Sequence, residues 1–304
     1  MDRRIKIRHL QALTEIVRQG SMKRAAERLF LTQPAISRTL AELEDIVGAE
    51  LLIRNRAGVS LTPQGEFFHG FAAASLSALE HGLAGIDEAG REGAMQLRVG
   101  ALPSVAARLM PEAVARLAGL APEMRLTIAD GSHAQLTAML RAGDLDVVIG
   151  RMGAPETMRG LSFTQLYLEE VAVVVRPGHP ILADPDLRRI GEWRVLYPPP
   201  WAAIRPFVER LLMAEGIPRP PRRIETVSGA FGRAFLPGSD AVWIISAGVV
   251  AREVADGRLV RLPVATDLTE GPVGLMNRVG TPDDPALQLF AQAVNKAVSG
   301  LGLF

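Results

Sequence analysis

The sequence predicts a small, mostly α-helical N-terminal domain with a winged helix-turn-helix, then a long linker helix, then a two-lobed α/β domain. Three observations predict this order. Two capped helix patterns and a hairpin pattern fill the first 62 residues, a helical stretch without a breaker follows, and short strand and helix patterns alternate from about residue 95. We therefore expect domains at 1–62, 63–92 and 93–304, the last with one lobe from 93–165 and 267–304 and a second lobe from 166–266.

The helix-turn-helix is predicted between residues 20 and 47. Ser21 is a good N-cap for a first helix, and Thr32 caps a second helix that carries Pro34 in its first turn. The small pair Ala25 and Ala26 lets the two helices approach closely. The second helix has one apolar stripe at spacings of four, three and four residues: Ile36, Leu40, Leu43 and Val47.

The other face of that second helix has the chemistry of a DNA-reading surface. It presents amide, hydroxyl and guanidinium groups near the helix N-terminus, where a recognition helix meets base edges in the major groove. Residues 51–62 then predict a hairpin, or wing, that carries two arginines near its tip. A merely solvated polar face is the alternative. The predicted DNA-contacting set is Ser21, Lys23, Thr32, Gln33, Pro34, Ser37, Arg38, Arg54 and Arg56.

The distribution of charge agrees with a nucleic-acid partner for the first domain. The whole chain has a net charge of only +1. Residues 1–56 contain 11 lysines and arginines against 7 acidic residues, a net of +4, and the remainder has 23 against 26, a net of −3. A basic head on a slightly acidic body is expected where only the head meets phosphate.

The predicted linker helix has an apolar stripe with near-heptad spacing. This stripe could pack on the rest of its own chain. Beside a helix-turn-helix, however, paired DNA half-sites call for a two-fold dimer, so we interpret the stripe as a dimer contact. Its residues are Phe68, Ala72, Leu76, Leu79, Leu83 and Ile86.

The C-terminal part predicts βαβ units and a largely parallel sheet in each of two lobes. If the last strand and helix return to the first lobe, the chain crosses twice and forms a hinge with a cleft between the lobes. Strand patterns cover 96–101, 125–129, 147–150, 171–175, 224–226, 241–245 and 273–277, and helix patterns cover 105–118, 134–141, 204–215, 229–236, 247–254 and 285–299.

Taken together, these motifs resemble the LysR-type transcriptional regulators over the whole chain. The resemblance is carried by residues 21–38, 40–48, 51–54 and 61–65. It implies a winged N-terminal domain, a dimerising linker helix, an effector domain of the periplasmic-binding-protein type, assembly as a homodimer or homotetramer on double-stranded DNA, and action through RNA polymerase. Two departures are that Leu52 stands where the family usually has Phe, and that the turn at Phe30 and Leu31 lacks a glycine.

The first eleven residues narrow this resemblance toward the pca operon regulators of protocatechuate catabolism. Regulators of that branch respond to a carboxymuconate, and an activating role is expected. Related branches control other aromatic-acid pathways or sugar pathways, and these remain alternatives.

A small carboxylate effector needs cations and free backbone donors, and helix N-termini after the strands supply such donors. Each serine could instead be an ordinary N-cap, each arginine a solvated surface residue, and Trp201 ordinary packing. The resemblance places Pro199 and Trp201 in the cleft wall. The predicted effector-binding set is Ser104, Ser132, His133, Arg151, Pro199, Trp201, Arg205, Ser228 and Ser246, with Arg151 the favoured cation.

Other classes of protein are disfavoured by what the sequence lacks. It has no cysteine, no phosphate loop, no G-x-G-x-x-G or G-x-S-x-G motif, and five scattered histidines without metal-ligand spacing. We therefore expect no enzyme, no cofactor and no metal. With no export signal or membrane-spanning stretch, we expect a cytoplasmic protein, and a free-standing solute-binding protein is disfavoured because it would need that signal and no basic head.

Overall fold

The structure is a computed structural model that describes residues 4–55, 58–88, 95–280 and 284–303, without the side chains of 54, 55, 78, 80–82 and 84–88. The chain forms two compact units, which divide near residue 95. We call them the head and the effector unit. No helix in the described ranges combines the length and the apolar character needed to cross a bilayer.

The head is a three-helix core with a two-stranded wing and a long final helix. The apolar stripe of the second motif helix faces this core as predicted, because Ile36, Leu40 and Leu43 are fully buried and Val47 packs against them. The elements of the head are α1 (Ile7–Gln19), α2 (Met22–Arg28), α3 (Gln33–Val47), β1 (Leu52–Asn55), β2 (Gly58–Leu61) and α4 (Pro63–Glu88).

Hydrogen bonds fix the wing to α3 and to the end of α1. The Glu44 carboxylate on α3 accepts from the backbone N–H of Leu51 at 2.8 Å and of Leu52 at 3.3 Å. The N–H of Val59 donates to the Gly20 carbonyl at 3.3 Å. Leu52 is buried in the head core, so its departure from Phe is a matter of packing.

The linker helix α4 begins as predicted, but part of its apolar stripe packs against the core of the head. Thr62 caps it by accepting from the N–H of Gly65 at 2.9 Å. Ala72 is only 2% exposed and Phe68 packs against the same head core, so the expected dimer role is wrong for Ala72, which has no surface left for a partner. Leu79 and Leu83 are exposed, together with Phe67 and Phe71. The side chain of Ile86 lies outside the described residues.

The first lobe of the effector unit is a five-stranded sheet with helices packed on it. Its strand order is β4-β3-β5-β12-β6, with a core formed by the sheet, α5 and α10. The elements are β3 (Gln96–Ala101), α5 (Pro103–Leu120), β4 (Arg125–Asp130), α6 (His133–Ala142), β5 (Val147–Arg151), β6 (Leu161–Glu169), β12 (Gly271–Arg278) and α10 (Pro285–Gly300).

The second lobe has its own five-stranded sheet and its own core. The strand order is β11-β7-β10-β8-β9, and Trp243 and Tyr197 are the largest fully buried side chains in this lobe. The elements are β7 (Val171–Val175), β8 (Arg194–Tyr197), α7 (Arg205–Ala214), β9 (Arg223–Glu225), α8 (Gly229–Phe235), β10 (Ala241–Ser246), α9 (Ala247–Ala255) and β11 (Val260–Arg261).

The chain crosses between the lobes twice, as the predicted hinge requires, but the sheets are mixed rather than largely parallel. In the first lobe β12 runs antiparallel to β5 and β6, and in the second lobe β7 runs antiparallel to β10. The expected lobe boundary at 165 is also wrong. Strand β6 stays paired with β12 up to Glu169, opposite Gly271, so the first crossing lies at Glu170.

Candidate DNA-reading face and ligand cleft

The predicted DNA-reading residues lie on the exposed start of α3 and on α2. Residues 31–34 and Arg38 are exposed, and Ser37 is half-buried. The hydroxyl of Thr32 caps α3 by accepting from the N–H of Ala35 at 3.4 Å. Gln33 is therefore exposed on the first turn of a capped helix.

The predicted phosphate contacts are described only in part. Lys23 is exposed on the first turn of α2, and Ser21 caps that helix by accepting from the N–H of Arg24 at 3.4 Å. Arg56 and the side chain of Arg54 lie outside the described residues.

The effector unit contains a cleft of about 820 Å³ between its two lobes. The first turns of four helices line this cleft: α5 and α6 from the first lobe, and α8 and α9 from the second. Seven of the nine predicted effector residues line it, namely Ser104, Ser132, His133, Arg151, Trp201, Ser228 and Ser246.

Two predicted effector residues do not line the cleft. Pro199 is buried and does not line the cleft. The guanidinium of Arg205 turns inward, donates to the Glu209 carboxylate at 2.8 Å and to the Pro198 carbonyl at 2.6 Å, and stacks on Tyr197. Arg205 is wrong as an effector cation because its donors are committed to the packing of the second lobe.

The cleft serines divide into caps and non-caps. Ser132 accepts from the N–H of Gln135, and Ser228 accepts from the N–H of Phe231, both at 3.2 Å. Ser246 makes no side-chain cap hydrogen bond although it precedes α9. A capping hydroxyl still has its own O–H to donate, so both kinds can face an anion.

Two further arginines, Arg233 and Arg252, line the cleft but were not predicted from the sequence. Arg233 on α8 donates to the Glu253 carboxylate at 2.9 Å and to the Val249 carbonyl at 2.5 Å. Arg252 on α9 is 85% exposed at the cleft, and its nearest ion-pair partner is Asp256 at 4.0 Å. Their helical positions carry no sequence signal for cleft exposure, because only the packing of α8 and α9 decides which side faces the first lobe.

Arg151 is deeply buried at the base of the cleft, beside Glu169. Its guanidinium donates to the main-chain carbonyl of Glu169 at 2.6 Å and of Thr269 at 3.2 Å, and it stacks on the ring of Phe207 at 4.8 Å. Its Nη2 is 3.9 Å from the Glu169 carboxylate. Burial raises the pKa of the Glu169 carboxyl, and the charge of Arg151 opposes that rise.

Comparison with known families decides the identity of the chain. Residues 7–66 match the family described as "Bacterial regulatory helix-turn-helix protein, lysR family", and residues 90–299 match "LysR substrate binding domain". The chain belongs to the LysR family. The resemblance inferred from the helix-turn-helix is thus confirmed, and the protein is a LysR-family DNA-binding regulator with an effector domain.

Curated relatives match this LysR-family regulator along its whole length. It is 46% identical over 304 residues to the HTH-type transcriptional regulator PcaQ of Agrobacterium fabrum, covering 99% of this chain and 97% of the relative. It is 36% identical over 300 residues to the transcriptional regulator YdcI of Escherichia coli, covering 98% and 97%.

Solved structures share the fold at lower identity. Full-length LysG of Corynebacterium glutamicum, with bound effector Arg, has a TM-score of 0.67 at 18% identity and covers 97% of this chain and 99% of that one. Full-length BenM has a TM-score of 0.57 at 21% identity, with 99% of both chains covered.

Proposed function

We propose that this LysR-family regulator controls genes of protocatechuate catabolism and responds to a carboxymuconate-like effector in the cleft. The pathway is supported by the 46% identity to PcaQ along the whole chain. The effector class is supported by one structural observation above all: four helix N-termini converge on a single cleft.

The physical chemistry of this cleft suits a ligand with several carboxylates. Each helix start presents N–H groups and the positive end of the helix dipole, which together favour an anion. The first lobe supplies two such starts and the second lobe two more. A ligand with carboxylates at both ends can therefore bind both lobes at once, and Arg252 is placed to meet a further carboxylate at the cleft.

For DNA binding, we propose that α3 reads bases while Lys23 and the wing arginines bind phosphate or the minor groove. We assign contacts with the bases, or with the DNA backbone next to them, to five residues: Thr32, Gln33, Pro34, Ser37 and Arg38. Exposure of the first turn of α3 supports this division.

We further propose that the regulator acts in the cytoplasm as a homodimer or homotetramer and activates transcription through RNA polymerase. Effector binding would change the angle between the lobes and thereby the spacing and bend of bound DNA. A ligand can do this only through its different affinity for the two arrangements.

A thermal-shift screen tests the effector. The purified protein is heated with protocatechuate, 3-carboxymuconate, other aromatic acids and several sugars. Carboxymuconate at a hundredfold excess over its Kd is expected to add about 2.7 kcal/mol to the free energy of unfolding. A shift only with an unrelated compound would discard the protocatechuate assignment.

Matched arginine variants locate the site in the same screen. Arg252→Ala removes the exposed cleft cation and is expected to reduce the carboxymuconate shift. Arg188→Ala is the control, because Arg188 is 67% exposed on the same lobe, has an ion pair of 3.5 Å with Glu215, and does not line the cleft. Equal losses in both variants would point to nonspecific attraction rather than to a cleft contact.

Two head variants test the division of DNA contacts. Gln33→Ala is expected to relax discrimination at one base position, by about 1–3 kcal/mol for a bidentate contact. Lys23→Ala is expected to weaken binding to all sequences alike and to lower the salt slope by about one. Titrating each variant against selected and random duplexes separates the two results, and equal losses on both duplexes for Gln33→Ala would remove it from the base-reading set.

A further inference from the structure

The carboxylate of Glu169 bridges the two lobes at the base of the cleft. Glu169 is the last residue of β6 and therefore belongs to the first lobe. Its Oε1 accepts from the backbone N–H of Gly248 in the first turn of α9, at 3.2 Å, which belongs to the second lobe. The side chain is itself buried, with 4% of its residue surface exposed.

The backbone at this junction leaves little room for any change. A Cβ at Gly248 would lie 2.5 Å from Glu169 Oε1 and 2.9 Å from the main-chain oxygen of Ser104. The start of α9 therefore contacts the start of α5 directly, and the Glu169 carboxylate lies against the start of α9.

Arg151 fixes the main chain beside this carboxylate. Its two carbonyl acceptors, Glu169 at the end of β6 and Thr269 just before β12, lie next to the two crossings of the chain. Gly271 makes space for it, because a Cβ there would lie 2.2 Å from Arg151 Nη1. Arg151, expected from the sequence to be the effector cation, thus links the main chain at the two crossings, next to the Glu169 carboxylate.

We propose that Glu169 is a resident carboxylate that joins the first lobe to the start of α9 in the second lobe, and that an effector carboxylate displaces it. The second half of this proposal rests on the proposed effector cleft, whereas the first half does not.

The reason lies in what helix N-termini prefer. Ser104, Ser246 and Gly248 line the cleft and offer the donors that a carboxylate ligand needs. In the structure the chain's own carboxylate takes up one of these donors, the N–H of Gly248. A ligand carboxylate that competes for this donor must release Glu169, and this couples ligand binding to the contact between the lobes.

Distance measurements between the lobes test the first half without any effector. The sequence contains no cysteine, so Met213→Cys on α7 and Gln288→Cys on α10 give one spin label in each lobe. Met213 is 80% exposed and Gln288 is exposed. Full-length labelled protein is mixed with excess unlabelled protein, so that electron-electron resonance reports distances within one chain.

The test compares three carboxylate variants. Glu169→Leu keeps the approximate volume but removes the hydrogen bond from Gly248, and it is expected to lengthen or broaden the distance distribution. Glu169→Gln keeps an acceptor oxygen and is expected to restore most of the wild-type distribution. Glu192→Gln is the control, because the Glu192 carboxylate bonds Arg189 within the second lobe, away from both crossings. A Glu169→Leu distribution identical to wild type would overturn the proposal.

Gly248→Ala provides a second route that leaves Glu169 in place. Its new Cβ must push Glu169 Oε1 or the Ser104 carbonyl away, so it too is expected to separate the lobes. If Glu169→Leu does not fold, an unchanged distribution in Gly248→Ala overturns the proposal in its place.

Titration with 3-carboxymuconate then tests displacement. Glu169→Leu is expected to bind this probe about tenfold more tightly than wild type, within the usual range of coupling between sites. Equal or weaker binding would overturn displacement. If wild type itself does not bind the probe, the proposed effector fails, and the distance measurements still decide whether Glu169 joins the lobes.

Discussion

At the scale of single residues, Phe30 has a strained backbone conformation in the turn of the helix-turn-helix. It is the one non-glycine residue with positive φ in the described ranges, at 56°, and its side chain is 96% exposed. The N–H of Leu31 donates to the Ala26 carbonyl at 2.9 Å, a bond that closes α2 and forces the left-handed conformation on Phe30. The absence of glycine in this turn was visible in the sequence, and the strain is its consequence.

We therefore predict that Phe30→Gly is more stable than Phe30→Ala by about 1 kcal/mol, because only glycine adopts this conformation without a Cβ penalty. Both variants lose the exposed ring, so the difference isolates the backbone. Urea unfolding of the full-length protein measures it, and an alanine variant as stable as the glycine variant would contradict the account.

Residue roles were predictable where they depend on local sequence and were missed where they depend on tertiary contacts. Thr32, Thr62 and Ser228 are caps because a cap needs only the next three residues. The guanidinium of Arg205 donates to acceptors on Pro198 and Glu209, which only the fold of the second lobe brings beside it. Glu169 carries no local sequence signal at all.

At the scale of elements, α4 is tightly held at one end. A Cβ at Gly65 would lie 1.9 Å from the main-chain oxygen of Leu51, whereas nothing lies within 4 Å of a Cβ at Gly70 on the same helix. We predict that Gly65→Ala lowers the melting temperature of the full-length protein because the backbone of Leu51 must move. Gly70→Ala is expected to raise stability by up to about 1 kcal/mol through helix propensity. Loss of stability in both variants would indicate that glycine itself, rather than the contact with Leu51, matters.

The exposed part of α4 carries the remaining dimer prediction. Leu79 and Leu83 are exposed in the structure, whereas Ala72 is buried. The double variant Leu79→Asp with Leu83→Asp is expected to shift sedimentation toward monomer, because it places charge in an apolar contact. Ser75→Asp, an exposed position on the same helix, is the control. An unchanged oligomer in the double variant would place the contact elsewhere.

At the scale of the whole molecule, the sequence predicted two lobes, two crossings and a cleft, but not the mixed sheets. Strand β6 is an edge strand whose alternation of exposed and less exposed residues breaks at Thr164 and Gln165, and β8 and β11 are very short, so none gives a strong periodic signal. The returning strand β12 enters antiparallel between β5 and β6, a pairing that no local pattern encodes. The exposed start of α3, by contrast, was predictable from the N-caps Ser21 and Thr32 and from the apolar stripe of the second helix.

We propose that the protein binds DNA through its head, and that a polycarboxylate in the cleft changes how the bound protein is arranged on the DNA. The most direct measurement is a DNase I footprint of the full-length protein on a duplex it has selected from a random pool, with and without saturating 3-carboxymuconate. We predict protection in both cases, with a change in the length of the protected region or in its hypersensitive positions when the ligand is present. A footprint that stays identical at saturating ligand, after ligand binding has been confirmed by thermal shift, would contradict the account.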